Sequence, residues 1–138
     1  MNRTLPLNIN FSHSEAPGIA KLRRVLVAYS WRNQLVGYCQ GMNLLVACLL
    51  LVLDEIEAFW VFCCIMERIM PPDYYTSNLV VSQADQRILK ELATEKFPKL
   101  LKHLETNGVD ISLITFNWFL TLFVDSVPPE VFIHIFLN

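Results

Sequence analysis

The stretch GYCQGMN, residues 37–43, sets a polar glutamine, Gln40, between two glycines just before the apolar run LLVACLLLVL. Gly37 and Gly41 permit tight backbone geometry around Tyr38 and Gln40. A carboxamide on such a turn has two uses. It can satisfy backbone groups at the start of the following helix, with Tyr38 anchoring the turn by packing and a hydroxyl hydrogen bond. It can also be held out toward a reacting partner. Asn43 suits either capping of the apolar helix or support of the turn. Arg3, in MNRTLP, is a fixed cation almost at the first residue; taken locally it reads as an ordinary exposed terminal arginine.

Other residues with reactive side chains form no recognisable site. His13, His103 and His134 occur singly, which favours surface or local hydrogen-bonding roles. Asp85 and Glu91 lack a paired-acid spacing, and no serine or cysteine has a triad context. Cys39, Cys48, Cys63 and Cys64 lie in or beside apolar helical patterns without CxxC pairing, so reduced structural thiols are expected rather than a metal site or a disulfide scaffold. Gly37 and Gly41 do not make a GxGxxG fingerprint, and there is no GK[ST] phosphate loop. No cofactor is therefore expected to be bound by this chain.

The elements that must position GYCQGMN read as helices. The chain has 138 residues, 54% of them hydrophobic, and a formal net charge of -2. That length can bury one substantial core. The charge supplies no general attraction to nucleic acid or an anionic membrane, and Lys21, Arg23 and Arg24 read as one polar helix side. No secretory leader is evident, and Asp54, Glu55 and Glu57 interrupt the apolar run before it could cross a bilayer, so a soluble, intracellular protein without membrane insertion is expected.

After an irregular segment over residues 1–14, a helix is predicted from Pro17, with Ile19, Leu22, Val25, Leu26 and Tyr29 as its apolar face and its pattern weakening at Arg32, Asn33 and Gln34. Residues 42–53 predict a helix apolar on nearly every face, which calls for burial by neighbours. Asp54 with Glu57 predicts a capping box, then a packing face of Ala58, Phe59, Val61, Phe62, Ile65, Met66 and Ile69, stopped by Pro71 and Pro72. Ser82 and Asp85 offer a cap before Ile88, Leu89, Leu92 and Ala93. Pro98 opens a short helix that leaves at Asn107 and Gly108. The segment LITFNWFLTLFV has strand-like composition, but Leu113, Phe116, Leu120 and Phe123/Val124 are helix-spaced. Phe59, Trp60, Phe116, Trp118, Phe119 and Phe123 read mainly as packing residues. Together these predict an all-α, non-repeating helical bundle.

The segment RRVLVAYSWRNQLVGYCQGMNLLVACLLLV, followed by EAFW, DQRILKEL and FNWFLTLFVDSVPPE, resembles the TBC domain of Rab GTPase-activating proteins, in the family's order and over nearly the whole chain. The later segments look most like the Armus-like subgroup. The resemblance implies that residues 1–138 are a partial TBC domain, lacking its first motif region and its C-terminal helices. Arg3 in NRTLP matches the family's arginine finger and Gln40 in YCQ its glutamine finger, with Tyr38, Gly37, Gly41 and Asn43 supporting the turn. The family's acidic residue upstream of the arginine, and its earlier Arg/Trp motif, are not in this sequence. By the same resemblance the partner is a GTP-bound Rab-family GTPase, Rab7-like by association with the subgroup, which itself brings GTP and Mg²⁺. The expected setting is the cytoplasm, with recruitment to endosomal membranes through partners or other domains. The alternative is a noncatalytic Rab-binding module or an inactive truncated one.

Overall fold

Helix α1, Pro17–Arg32, begins where proline presets φ and lacks an N–H that the first helical turn would leave unused. In the computed structural model, which describes residues 4–5, 8–76, 78–128, 131–132 and 134, it is followed by α2 (Met42–Val52), α3 (Glu55–Cys64), a π-helical turn (Ile65–Ile69), α4 (Val80–Lys96), α5 (Pro98–Thr106) and α6 (Ser112–Leu120). No strand occurs among the described residues, so the all-α expectation holds.

The first three helices pack against one another. Leu22, Val25, Leu26 and Tyr29 of α1 meet Met42, Leu45, Val46 and Cys48 of α2 in a single core, joined by Phe62 of α3. A fully buried side chain of this size contributes about 1.5–3 kcal/mol over leaving it in water. Tyr29 and Phe62 meet edge to face with centroids 4.9 Å apart. The predicted capping box starts α3, with the Asp54 N–H donating to Glu57 Oε2 at 3.3 Å. Two forked ion pairs set α1 alongside the α3 segment: Arg24 Nε and Nη2 each reach Glu55 at 2.6 Å, and Arg32 reaches Glu67 at 2.8 and 3.0 Å. Solvent screens such exposed pairs, so they act more on register than on stability.

The remaining helices form a second group in which α4 packs on α5 and α6. Its central contact is polar. Thr115 Oγ1 donates to Gln86 Oε1 at 2.6 Å, and Gln86 Nε2 donates to the Thr115 carbonyl at 3.2 Å, both inside the protein. Each group satisfies the other, which removes the cost of burying a polar side chain alone.

Several expectations need correction. Helix α4 starts at Val80, after Leu79 in a left-handed conformation at φ 49°, so Ser82 and Asp85 lie inside the helix and do not cap it. Ser82 bonds back to the Leu79 carbonyl and Asp85 accepts from the Tyr74 hydroxyl at 2.9 Å. Ile88 and Leu92 are about half exposed because α4 buries Ser82, Gln86 and Ala93 instead. The helix over LITFNWFLTLFV stops at Leu120, because Leu122 and Phe123 take positive φ; Leu113 is exposed. The α3 pattern passes into a π turn, where the Met70 N–H reaches back five residues to Ile65, and Val61 and Ile69 face solvent. Trp60 is also more exposed than a packing residue, with the Arg32 guanidinium 5.4 Å from its ring.

Cys39, Cys48, Cys63 and Cys64 are all free thiols, but Cys64 is exposed rather than structural. Burial pushes the Cys48 thiol from its ordinary 9.0 up to about 11, so folding favours its neutral form. That contribution to stability is complete below the ordinary thiol pKa and is lost as pH rises through about 11. A melting series is expected to fall across this alkaline window. Alkylation at pH 8, read by peptide mass spectrometry, is expected to label Cys64 in the native chain and Cys48 only after denaturation.

Candidate functional site

The turn that carries Gln40 is prepared at the end of α1 by Asn33. Its N–H closes the helix on the Tyr29 carbonyl at 2.9 Å, and its own carbonyl receives the Gly37 N–H at 2.8 Å. Its side chain accepts from the Val36 N–H at 3.2 Å and donates to the Tyr29 hydroxyl at 3.2 Å. The chain is thereby folded back before Gly37 turns it at φ 61°.

Gly41 is the tighter of the two glycines. At φ 105° it is in a backbone region that other residues rarely adopt, and a Cβ there would stand 3.2 Å from both the Leu120 carbonyl oxygen and Thr121 Cγ2. The same Leu120 carbonyl, left open at the end of α6, accepts from the buried Tyr75 hydroxyl at 3.1 Å. Turn and helix end are thus seated against each other, and α2 starts directly after with the Leu44 N–H on the Gly41 carbonyl at 3.0 Å.

Asn43 does not cap α2, whose N-cap is Gly41; it organises the turn. Its Oδ1 accepts from the Tyr38 hydroxyl at 3.2 Å and from the Gly41 N–H at 3.3 Å. Its Nδ2 donates to Thr4 Oγ1 at 2.7 Å. Tyr38 is raised above the ordinary phenol pKa by burial and then by Cys39.

Gln40 is exposed, and no described residue hydrogen-bonds its carboxamide. The side chain is therefore not used to satisfy the start of α2. It borders a cleft of about 570 Å³ shared with Tyr38, Tyr75, Phe116 and Asn117. The structure brings Tyr38, Gln40, Gly41 and Asn43 together, with Gly37 at the upstream end of the same turn. Arg3 lies outside the described residues, but Thr4, the next residue, is fully buried in the Asn43 network. Thr4, Asn33 and Tyr75 were not visible as site residues in the sequence, since each acts through a contact set by packing and none belongs to a local motif.

This arrangement can position and hydrogen-bond a group presented from outside. His13, His103 and His134 are exposed and do not line its cleft, and among the described residues no three His, Cys, Asp or Glu side chains gather as a metal site. No helix of the described residues is long and apolar enough to cross a membrane.

The two glycines are expected to respond differently to substitution. Gly41→Ala should cost about 1–3 kcal/mol, since strained φ adds to a close approach onto backbone. Gly37→Asn should lie within about 0.5 kcal/mol of the parent, because asparagine tolerates the left-handed region and a Cβ there meets nothing within 4 Å. Urea unfolding of both variants checks the contrast.

The chain is 53% identical to TBC1 domain family member 2B of Homo sapiens over 133 residues, covering 96% of this chain and 14% of that protein. The Xenopus tropicalis protein of the same name gives the same figures. TBC1 domain family member 2A of Homo sapiens is 50% identical over 136 residues, covering 98% of this chain and 15% of that protein. Member 2A is Armus, so the subgroup resemblance is borne out. The chain thus spans about 14–15% of the length of these curated relatives. The model of the Rab-GTPase-TBC domain matches residues 1–136, and the chain belongs to that family.

Proposed function

We propose that this chain stimulates GTP hydrolysis by a GTP-bound Rab-family GTPase, with Gln40 and Arg3 entering the partner's active site. The observation that carries the reading is the state of Gln40: exposed at a cleft, on a turn held by Gly41 and Asn43, with its carboxamide engaged by no described residue. A side chain so placed is ready to hydrogen-bond a group on another protein without first breaking a bond at home.

In this reading the Rab brings GTP and Mg²⁺ together with most of the nucleotide pocket. The Gln40 carboxamide orients the attacking water, and the Arg3 guanidinium stands beside charge developing on the transferring phosphoryl oxygens. Family membership supports a Rab as partner. The likeness to Armus favours a Rab7-like substrate, and with it a cytoplasmic chain recruited to endosomal membranes through the Rab or other domains.

Single-turnover GTP hydrolysis with a panel of Rabs tests the reading. Gln40→Ala and Arg3→Ala are each expected to lower the stimulated rate by about 10²–10³-fold. Arg3→Lys should not restore it, because an ammonium cannot reproduce the planar fork. Binding of a GTP-loaded Rab without acceleration would favour a noncatalytic Rab-binding module. Unchanged rates in both alanine variants would remove the two-finger assignment.

A further inference from the structure

We infer that Thr4 is a positioning residue for Arg3, acting through Asn43. The inference rests on the assignment of Arg3 and Gln40 proposed above. Its starting point is a threonine that is fully buried near the beginning of the chain. Its hydroxyl accepts from Asn43 Nδ2 at 2.7 Å, across 39 positions of sequence.

The orientation of Asn43 is dictated by its other partners. Oδ1 faces two donors, the Tyr38 hydroxyl and the Gly41 N–H. A flipped carboxamide would turn its NH₂ toward the Gly41 N–H, so Nδ2 is directed to Thr4. One side chain thereby joins the turn bearing Gln40 to the residue bonded to Arg3. Immediately afterward Leu5 takes φ 43°, unusual for a residue with a Cβ, and its carbonyl receives the Asn8 N–H at 2.9 Å. Leu5 is half-buried against the core. The segment is thus tied at Thr4 and again at Leu5.

Consecutive Cα atoms are about 3.8 Å apart, so an anchored Thr4 limits how far the adjoining residue of the chain can range. Arginine surrenders considerable rotamer freedom when it is immobilised. Anchoring Thr4 to the turn that bears Gln40 reduces the ordering left for the encounter with a partner. Thr4 itself touches no reacting atom in this scheme. Without its hydroxyl the Asn43 amide loses an acceptor and the link to Arg3.

The test is single-turnover GTP hydrolysis by a Rab that the full 138-residue chain activates, over a range of chain concentrations. Thr4→Val is expected to lower the saturating rate by about 10–100-fold, while the half-saturating concentration moves less than about threefold. Thr4→Ser, which keeps the hydroxyl, should recover most of the rate. In an Arg3→Ala background, Thr4→Val should add no further loss. A parent-like rate in Thr4→Val, or the same fractional loss with and without Arg3, would overturn the inference. If Thr4→Val does not melt cooperatively, the Thr4→Ser and Thr4→Ala pair, which differ by one hydroxyl, carries the same comparison. Should Arg3→Ala itself leave the rate unchanged, the finger assignment has failed and this inference with it. A loss in Arg3→Ala without one in Thr4→Val overturns the role of Thr4 alone.

Discussion

The backbone of Gly41 lies directly against the end of α6, and much of the molecule is arranged around that approach. A side chain at this position would stand 3.2 Å from the Leu120 carbonyl oxygen and Thr121 Cγ2, at a φ of 105° that other residues rarely adopt, so this close approach favours glycine. The contact turns an open helix end into part of a seam, because Tyr75 supplies the Leu120 carbonyl with a donor on the same side. It also starts α2 at a fixed place. Gln40, exposed, stands one residue before this buried glycine.

Rigid core and polar turn have separate tasks. The apolar contacts of α1, α2 and α3 are non-directional and hold the helices together by area removed from water. They do not aim a carboxamide. Aiming is done by directional groups: Asn33 folds the chain back, Asn43 gathers Tyr38, Gly41 and Thr4, and Gln86 with Thr115 joins α4 to α6. No buried side-chain nitrogen or oxygen among the described residues is left without a partner. In a low-dielectric interior such complete pairing favours one arrangement over near alternatives.

Helix positions were legible in the sequence where a local rule applies. Pro17 and Pro98 open helices, Asp54 and Glu57 form their box, and Gly108 ends α5 at φ 69°. Reading failed where tertiary contacts override local preference. Ser82 and Asp85 have cap-forming side chains, yet α4 starts earlier because the chain turns at Leu79 in a left-handed conformation. Apolar periodicity suggested a helix through LITFNWFLTLFV, but positive φ at Leu122 and Phe123 ends it, and periodicity carries no information about where a backbone must bend. Apolar Ile88 and Leu92 seemed to mark the buried face of α4, whereas polar Gln86 is the inward residue because Thr115 pairs with it.

For the site itself, residue types and order were enough to single out GYCQGMN, and family resemblance is the source of the proposed pairing of Gln40 with Arg3. These are properties of a short stretch and of its place in a longer order of motifs, both carried by covalent sequence. The sequence by itself also determined the all-α class, since helix-spaced apolar faces and helix-start residues recur along it. Only the tertiary structure decided that the Gln40 carboxamide is engaged by no described residue, that Gly41 closes onto α6, and that Thr4 is buried against Asn43. The reason is physical: each is a contact between segments distant in the chain, set by which surfaces pack together, and no local pattern of residues encodes such a distance.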